Sequence, residues 1–142
     1  MIWLIVEDEA DILSLIATIC QVWGHKPLTF SSGQKAWEWL DLVEAGTYQG
    51  TLPDFALMDI RMPGKTGNLV ANRMRTIPAL QSIPITLMTA YSLNTEEREK
   101  MMKADGVDQI ISKPLPGFEE LRTLLNQIIA DKQARVSKDK QP

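Results

Sequence analysis

The sequence is poor in cysteine, histidine and basic charge, and each shortage argues against a class of site. Cys20 is its only cysteine, which excludes an intrachain disulfide and any paired-cysteine metal or redox motif. A single histidine, His25, argues against a zinc site of clustered imidazoles. The formal net charge of -3 lacks the basic excess typical of chains that bind nucleic acid or anionic membranes. We therefore expect no direct nucleic-acid or membrane partner.

Long apolar runs are also missing. The first run, residues 2–6, gives way to Glu7, Asp8 and Glu9 well short of a signal-peptide core or a membrane-spanning helix. Together with the lone cysteine, this predicts a cytoplasmic protein. A length of 142 residues, 44% of them hydrophobic, suits one domain with a substantial core.

The apolar residues that are present alternate between short continuous runs and helical spacing. The continuous runs predict five strands, at residues 2–6, 27–30, 52–59, 83–89 and 107–111. The helical spacing predicts five helices, at residues 11–23, 32–46, 66–76, 96–103 and 118–129. Strands alternating with helices predict a doubly wound α/β fold with a parallel sheet covered on both faces. We expect one domain over residues 1–130 and a frayed polar tail over residues 131–142.

Several polar residues follow the predicted strands, where a parallel sheet gathers its carboxyl ends at one edge. They are Glu7, Asp8, Asp59, Thr89 and Lys113. Three carboxylates brought close together repel one another, and a divalent cation relieves that repulsion. All-oxygen ligation favours Mg²⁺, with Mn²⁺ as a substitute.

Asp59 is the best candidate for a nucleophile, because it ends an apolar strand beside this proposed metal. A carboxylate that attacks a phosphoryl group forms an aspartyl phosphate. Lys113 could bind one phosphoryl oxygen as a point charge, and Thr89 could donate a hydrogen bond to another. The cluster therefore predicts phosphoryl transfer to Asp59.

These residues resemble the receiver domain of two-component response regulators over roughly residues 1–130. The segments that carry the resemblance are Glu7-Asp8, Leu57-Met58-Asp59-Ile60-Arg61-Met62-Pro63-Gly64, Thr89-Ala90 and Lys113-Pro114. The resemblance implies a flavodoxin-like, CheY-like sheet of strand order 2-1-3-4-5. It also implies that Asp59 accepts a phosphoryl group from a histidine kinase or phosphotransfer protein, and that the chain catalyses only its own phosphorylation and dephosphorylation.

The same resemblance implies roles for the other residues of the cluster. Mg²⁺ would lie among Glu7, Asp8, Asp59 and the backbone carbonyl of Arg61. Lys113 would contact the phosphate ahead of a cis peptide bond to Pro114. Thr89, followed by Ala90, would turn inward on phosphorylation. The surface of the fourth helix, fifth strand and fifth helix would then switch to control a downstream effector protein.

Two positions depart from the pattern of many relatives. Ile110, three residues before Lys113, replaces the aromatic residue that usually changes rotamer as the threonine moves. Glu7 replaces an aspartate, and its longer side chain affects how it reaches the metal.

Arg61 and Tyr91 each lie two residues after a proposed site residue, where they could control the approach of hydrolytic water. We expect them to tune the lifetime of the aspartyl phosphate.

Two other functions compete with this interpretation. A degenerate receiver would serve as a constitutive docking or dimerisation module, which Ile110 favours. A magnesium-dependent phosphatase with an aspartyl nucleophile would place a DxD pair on the first strand, whereas this chain has Glu7-Asp8 there and Asp59 on the third. Phosphorylation-dependent homodimerisation is a further expectation, given the charged fourth helix and apolar fifth helix.

Overall fold

A computed structural model of the protein describes residues 1–139. Its strands are β1 (Ile2–Val6), β2 (Lys26–Phe30), β3 (Phe55–Asp59), β4 (Ile85–Thr89) and β5 (Gln109–Ser112). Its helices are α1 (Ala10–Val22), α2 (Gly33–Ala45), α3 (Gly67–Met74), α4 (Thr95–Lys103) and α5 (Phe118–Asp139). The strands form one parallel sheet in the order β2-β1-β3-β4-β5. The predicted fold class and strand order are confirmed.

The sheet is buried on both faces, as the mainly apolar sequences of its central strands predict. Every residue of β3 and β4 is buried, as expected for parallel strands covered by helices on both sides. Alternate residues of β1 face opposite ways. Leu4 packs with the side chains of α2 and α3, while Ile5 packs with those of α1 and α5. Cys20 is buried in this second cluster and serves in packing.

The boundaries of β3 and β4 differ from the predicted ones at their amino ends. Both strands begin two or three residues later than the apolar runs, just after Pro53-Asp54 and Pro84 respectively. Proline has no amide hydrogen to donate to the sheet, so it favours a strand boundary. Strand β5 is likewise displaced, running from Gln109 to Ser112.

Side-chain caps define the start of two helices. The Ser32 hydroxyl accepts a hydrogen bond from the backbone of Lys35 at the start of α2. Asn94 and Glu97 form a reciprocal capping box at the start of α4, as their spacing predicts. Helix α4 nevertheless buries none of its residues.

The predicted frayed tail is wrong for residues 131–139, because α5 continues without interruption to Asp139. The Nζ of Lys132 and a guanidinium nitrogen of Arg135 each lie 3.0 Å from Oδ1 of Asp108, which precedes β5. These ion pairs hold the polar part of the helix against the domain. Residues 140–142 of the predicted tail lie outside the described residues. Within residues 1–139, no helix combines the length and apolarity needed to cross a membrane.

Candidate functional site

A cleft of about 230 Å³ lies at the carboxyl edge of the sheet. Its walls come from the ends of β1, β3, β4 and β5 and from the loops that follow. The lining residues are Asp8, Glu9, Asp59, Arg61, Thr89, Ala90, Tyr91 and Lys113. The fold therefore brings together residues that lie more than one hundred positions apart in the chain.

Three carboxyl groups meet at this cleft. Each of Glu7, Asp8 and Asp59 contributes one carboxylate oxygen, and these three oxygens lie within 4.8 Å of one another. Glu7 is fully buried and Asp59 is only 6% exposed, whereas Asp8 is open to solvent. The group offers hard oxygen ligands with one side facing water, the combination that Mg²⁺ prefers.

Lys113 places its ammonium group between two of these acids. Its Nζ donates to Oε1 of Glu7 at 2.5 Å and lies 3.2 Å from Oδ1 of Asp59. The backbone amide of Lys113 donates to the carbonyl of Thr89, which ties the end of β5 to that of β4. The peptide bond to Pro114 is cis, as the resemblance implies.

Burial changes the ionisation of all three groups in this contact. It raises the pKa of Glu7, against the opposing effect of its hydrogen bond from Lys113. It also raises the pKa of Asp59, where the charge of Lys113 again opposes it. For Lys113, burial alone would lower the pKa, but the hydrogen bond to Glu7 and the charge of Asp59 outweigh it and raise the pKa. Lys113 contacts two of the three carboxyl groups, so the ionised cluster carries more negative charge than its single ammonium balances.

Thr89 and Tyr91 interact through the loop after β4. Thr89 is buried, and its hydroxyl oxygen accepts a hydrogen bond from the backbone amide of Tyr91 at 3.0 Å. The exposed Tyr91 ring lies 4.1 Å from the guanidinium carbon of Arg61, a cation–π contact that links the loops after β3 and β4. The two residues expected to control water access therefore touch each other at the cleft.

Some predicted site residues lie beside the cleft. Pro114 lines a neighbouring apolar groove between α1 and α5. Ile110 is 4% exposed and packs in the hydrophobic core beneath α2 and α3. His25, to which the sequence assigned no role, stacks on Trp3 in a different part of the sheet.

Two residues at the site escaped sequence reasoning. Glu9 lines the cleft, although it was not among the residues expected at the carboxyl edge of the sheet. Gly67 opens α3 directly against Asp59, since a Cβ there would lie 2.2 Å from the backbone oxygen of Asp59. A glycine at the second residue of the helix predicted over residues 66–76 was the signal that could have identified it.

Several curated relatives of the chain are regulators and sensor proteins that are longer than it is. It is 31% identical to the phosphate regulon transcriptional regulatory protein PhoB of Pseudomonas aeruginosa over 112 residues, covering 78% of the chain and 44% of PhoB. It is 26% identical to protein RcaC of Microchaete diplosiphon over 125 residues, covering 88% of the chain and 18% of RcaC. The chain therefore spans less than half the length of either relative.

Solved receiver structures share the fold. A CheY-like response regulator receiver protein from Methanospirillum hungatei JF-1 matches with a TM-score of 0.75 at 20% identity, covering 94% and 97% of the two chains. The receiver domain of a sensor histidine kinase from Pseudomonas aeruginosa PAO1, which has a magnesium ion coordinated in its active site cleft, matches with a TM-score of 0.72. That pair is 25% identical, over 91% and 97% of the chains.

The family comparison covers nearly the whole described chain. Residues 3–131 match the response regulator receiver domain, and this range includes every residue of the cleft. The strand order and the relatives' descriptions agree with that assignment. The chain belongs to the response regulator receiver domain family of two-component signalling systems.

Proposed function

We propose that this chain is a phospho-acceptor that takes a phosphoryl group on Asp59 from the phosphohistidine of a histidine kinase or phosphotransfer protein. A carboxylate oxygen of Asp59 forms a bond to phosphorus, the phosphorus–nitrogen bond breaks, and the histidine nitrogen leaves with the electron pair. The observation that carries the proposal is the position of Asp59, at the end of β3 with its Oδ1 3.2 Å from the ammonium of Lys113. The chain catalyses only its own phosphorylation and dephosphorylation.

Lys113 and Thr89 stabilise the charge that develops on the phosphoryl oxygens. The ammonium of Lys113 lies beside the acceptor and can bind one oxygen as it weakens its contact with Glu7. The Thr89 hydroxyl can donate to a second oxygen after it turns away from the backbone of Tyr91. Ala90, whose small side chain lines the cleft, leaves room for the group.

The residues fit a magnesium ion. Surplus negative charge at a partly buried cluster disfavours its ionised form, and a divalent cation removes that cost. Glu7, Asp8, Asp59 and the backbone carbonyl of Arg61 would hold the ion, and Mn²⁺ has the same preference for oxygen ligands. When bound, the ion neutralises charge on the transferring phosphoryl group. The solved relative with magnesium in its cleft supports this choice.

The output of the site is a change in the α4–β5–α5 surface that an effector protein reads. Helix α4 buries none of its residues, so a small change at the loop after β4 can alter its position at little cost. Ile110, buried in β5, takes the place of an aromatic switch residue. The added charge at Asp59 biases this surface between two arrangements.

Acetyl phosphate with Mg²⁺ tests the acceptor role without a partner kinase. We expect intact mass spectrometry to show one phosphoryl group on the wild type and none on Asp59→Asn. Beryllofluoride should likewise shift the amide resonances of Thr89 and Lys113 only when Mg²⁺ is present. Failure of the wild type in both assays would favour a constitutive docking module, and multiple turnover of an external phosphate ester would favour a phosphatase.

A further inference from the structure

The first residue of α2, Gly33, lies against the loop that follows the acceptor strand. An ideal Cβ at Gly33 would lie 1.7 Å from the carbonyl oxygen of Lys65 and 2.7 Å from its carbonyl carbon. Both are backbone atoms, which cannot rotate aside as a side chain can. Helix α2 therefore approaches this loop as closely as it does because residue 33 has no side chain.

The glycine is not explained by backbone conformation. Gly33 is helical and is not among the glycines with positive φ. Alanine is a better helix former than glycine, so the helix itself does not require glycine at this position. The requirement comes from the contact with Lys65.

Two neighbouring contacts join the same two segments. The Nζ of Lys65 lies 4.5 Å from the ring centroid of Trp37, one turn along α2. Gly64, with a φ of 79°, faces Gln34. A Cβ added at Gly64 would lie 3.3 Å from the Cβ of Gln34. The first turns of α2 thus contact the loop at successive residues.

This loop carries a backbone group of the proposed site. It begins directly after Asp59 and includes Arg61, whose carbonyl we assign to the magnesium ion. We propose that Gly33 is a positioning residue: its missing side chain sets the distance between α2 and the loop and thereby places the Arg61 carbonyl among the metal ligands. This inference rests on the proposed function, because it assumes that the site binds Mg²⁺.

Gly33→Ala tests the proposal. The added methyl group forces α2 and Lys65 apart by on the order of 1.5 Å to reach normal contact, and displacements of about 1 Å at a site can reduce its performance by about a hundredfold. We expect the Mg²⁺ dissociation constant, measured from amide shifts of Asp59 and Arg61, to rise about tenfold or more, as for other residues that orient ligands.

Gly46→Ala is the matched control. It makes the same substitution at the other end of α2, where φ is 75° and no atom lies within 4 Å of the new Cβ. The left-handed backbone disfavours alanine, so this variant should lower the thermal midpoint while leaving Mg²⁺ affinity within twofold. Mg²⁺ affinity separates a positioning role from a purely stabilising one. A loss of stability alone leaves metal binding by the folded molecules unchanged.

Each outcome decides the question. If the wild type shows no Mg²⁺-dependent shifts, the proposed function fails and this inference with it. If the wild type binds Mg²⁺ and Gly33→Ala binds it equally well, only the positioning role is overturned.

Should Gly33→Ala not fold, Lys65→Met retains the aliphatic stem but removes the ammonium from the Trp37 ring. This loosens the same α2–loop contact, so the Mg²⁺ affinity of Lys65→Met should fall about two- to fivefold. An unchanged affinity would show that the spacing between α2 and the loop does not place the Arg61 carbonyl, and would overturn the proposal.

Discussion

At the scale of single residues, the site places carboxyl groups where burial opposes their charge. Glu7 is fully buried and Asp59 nearly so, and burial raises the pKa of both. Lys113 compensates part of this cost through its contacts with the two groups. The buried acids therefore lower the stability of the metal-free protein, a cost that a bound cation would offset.

This cost predicts how stability depends on pH without Mg²⁺. Because the pKa of each buried acid is raised above its ordinary value, 4.5 for Glu7 and 3.8 for Asp59, the folded protein retains protons that the unfolded chain has released. The free energy of unfolding should therefore fall as pH rises from these values through the folded-state pKa. Urea unfolding across this range measures the effect.

Asp59→Asn should weaken that pH dependence and raise the free energy of unfolding at neutral pH, because the amide carries no charge for burial to oppose. Saturating Mg²⁺ should remove the advantage, because it stabilises the wild type. Asp11→Asn, at an exposed position of α1, is the control and should leave the pH dependence unchanged. A variant less stable than the wild type at neutral pH would contradict this account.

The contact between Arg61 and Tyr91 predicts control of the acyl phosphate lifetime. Their stacked side chains line the cleft on the loops after β3 and β4, where they would restrict the approach of water. Arg61→Ala and Tyr91→Ala should each shorten the lifetime several-fold, measured by loss of the phosphorylated mass after removal of acetyl phosphate. Tyr91→Phe keeps the ring and should remain close to the wild type. Equal decay in all variants would show that the pair does not control hydrolysis.

At the scale of elements, α5 is longer than its apolar pattern because charged residues continue its attachment. Asp108 accepts from Lys132 and Arg135 of α5, and also from Arg75 and the backbone amide of Ile85. Arg75 in turn donates to the carbonyls of Ile83 and Gly106. One carboxylate therefore joins α5 to the amino end of β4 and to the end of α3.

Asp108→Asn should destabilise the protein because it removes the charge that partners a largely buried arginine. We expect a loss of about 2–3 kcal/mol in the free energy of unfolding, together with faster amide exchange over residues 132–139. Asp131→Asn, on α5, is the control. Asp131 is exposed and accepts a hydrogen bond only from Gln127 among the described contacts. If the two variants behaved alike, Asp108 would not anchor α5.

At the scale of the whole molecule, the acceptor site and the expected output surface share the β4–α4 loop. Thr89 ends β4 in the cleft, and α4 begins a few residues later with its capping box at Asn94. A movement of the loop toward a phosphoryl group would therefore act on a helix that buries none of its residues. This arrangement allows a small local change to alter a large exposed surface.

Phosphorylation-dependent dimerisation through that surface is a prediction for the whole molecule. Beryllofluoride with Mg²⁺ should shift the wild type to earlier elution in gel filtration at high protein concentration. Asp59→Asn should not shift. Met102→Asp, a change at an exposed residue of α4, should form the adduct but remain monomeric. An unchanged elution volume for the wild type adduct would leave effector binding without dimerisation as the output.

Much of the fold and site was predictable because local sequence determines them. Apolar runs such as residues 55–58 mark buried strands, and the parallel topology then places their carboxyl ends at one edge. Strand order and spacing alone therefore group Asp59 with Glu7, Asp8, Thr89 and Lys113. They miss the extension of α5, because ion pairs with a residue more than twenty positions earlier leave no periodic apolar signal.

The sequence by itself determined the strands, the fold class and the identity of the acidic cluster, because hydrophobic patterning and motif spacing are properties of the chain. Only the tertiary structure decided which groups touch. It paired Lys113 with Glu7 as well as Asp59, stacked Arg61 on Tyr91, and brought Gly33 against the loop after Asp59. Such contacts depend on the packing of distant elements, so their distances cannot be read from neighbouring residues.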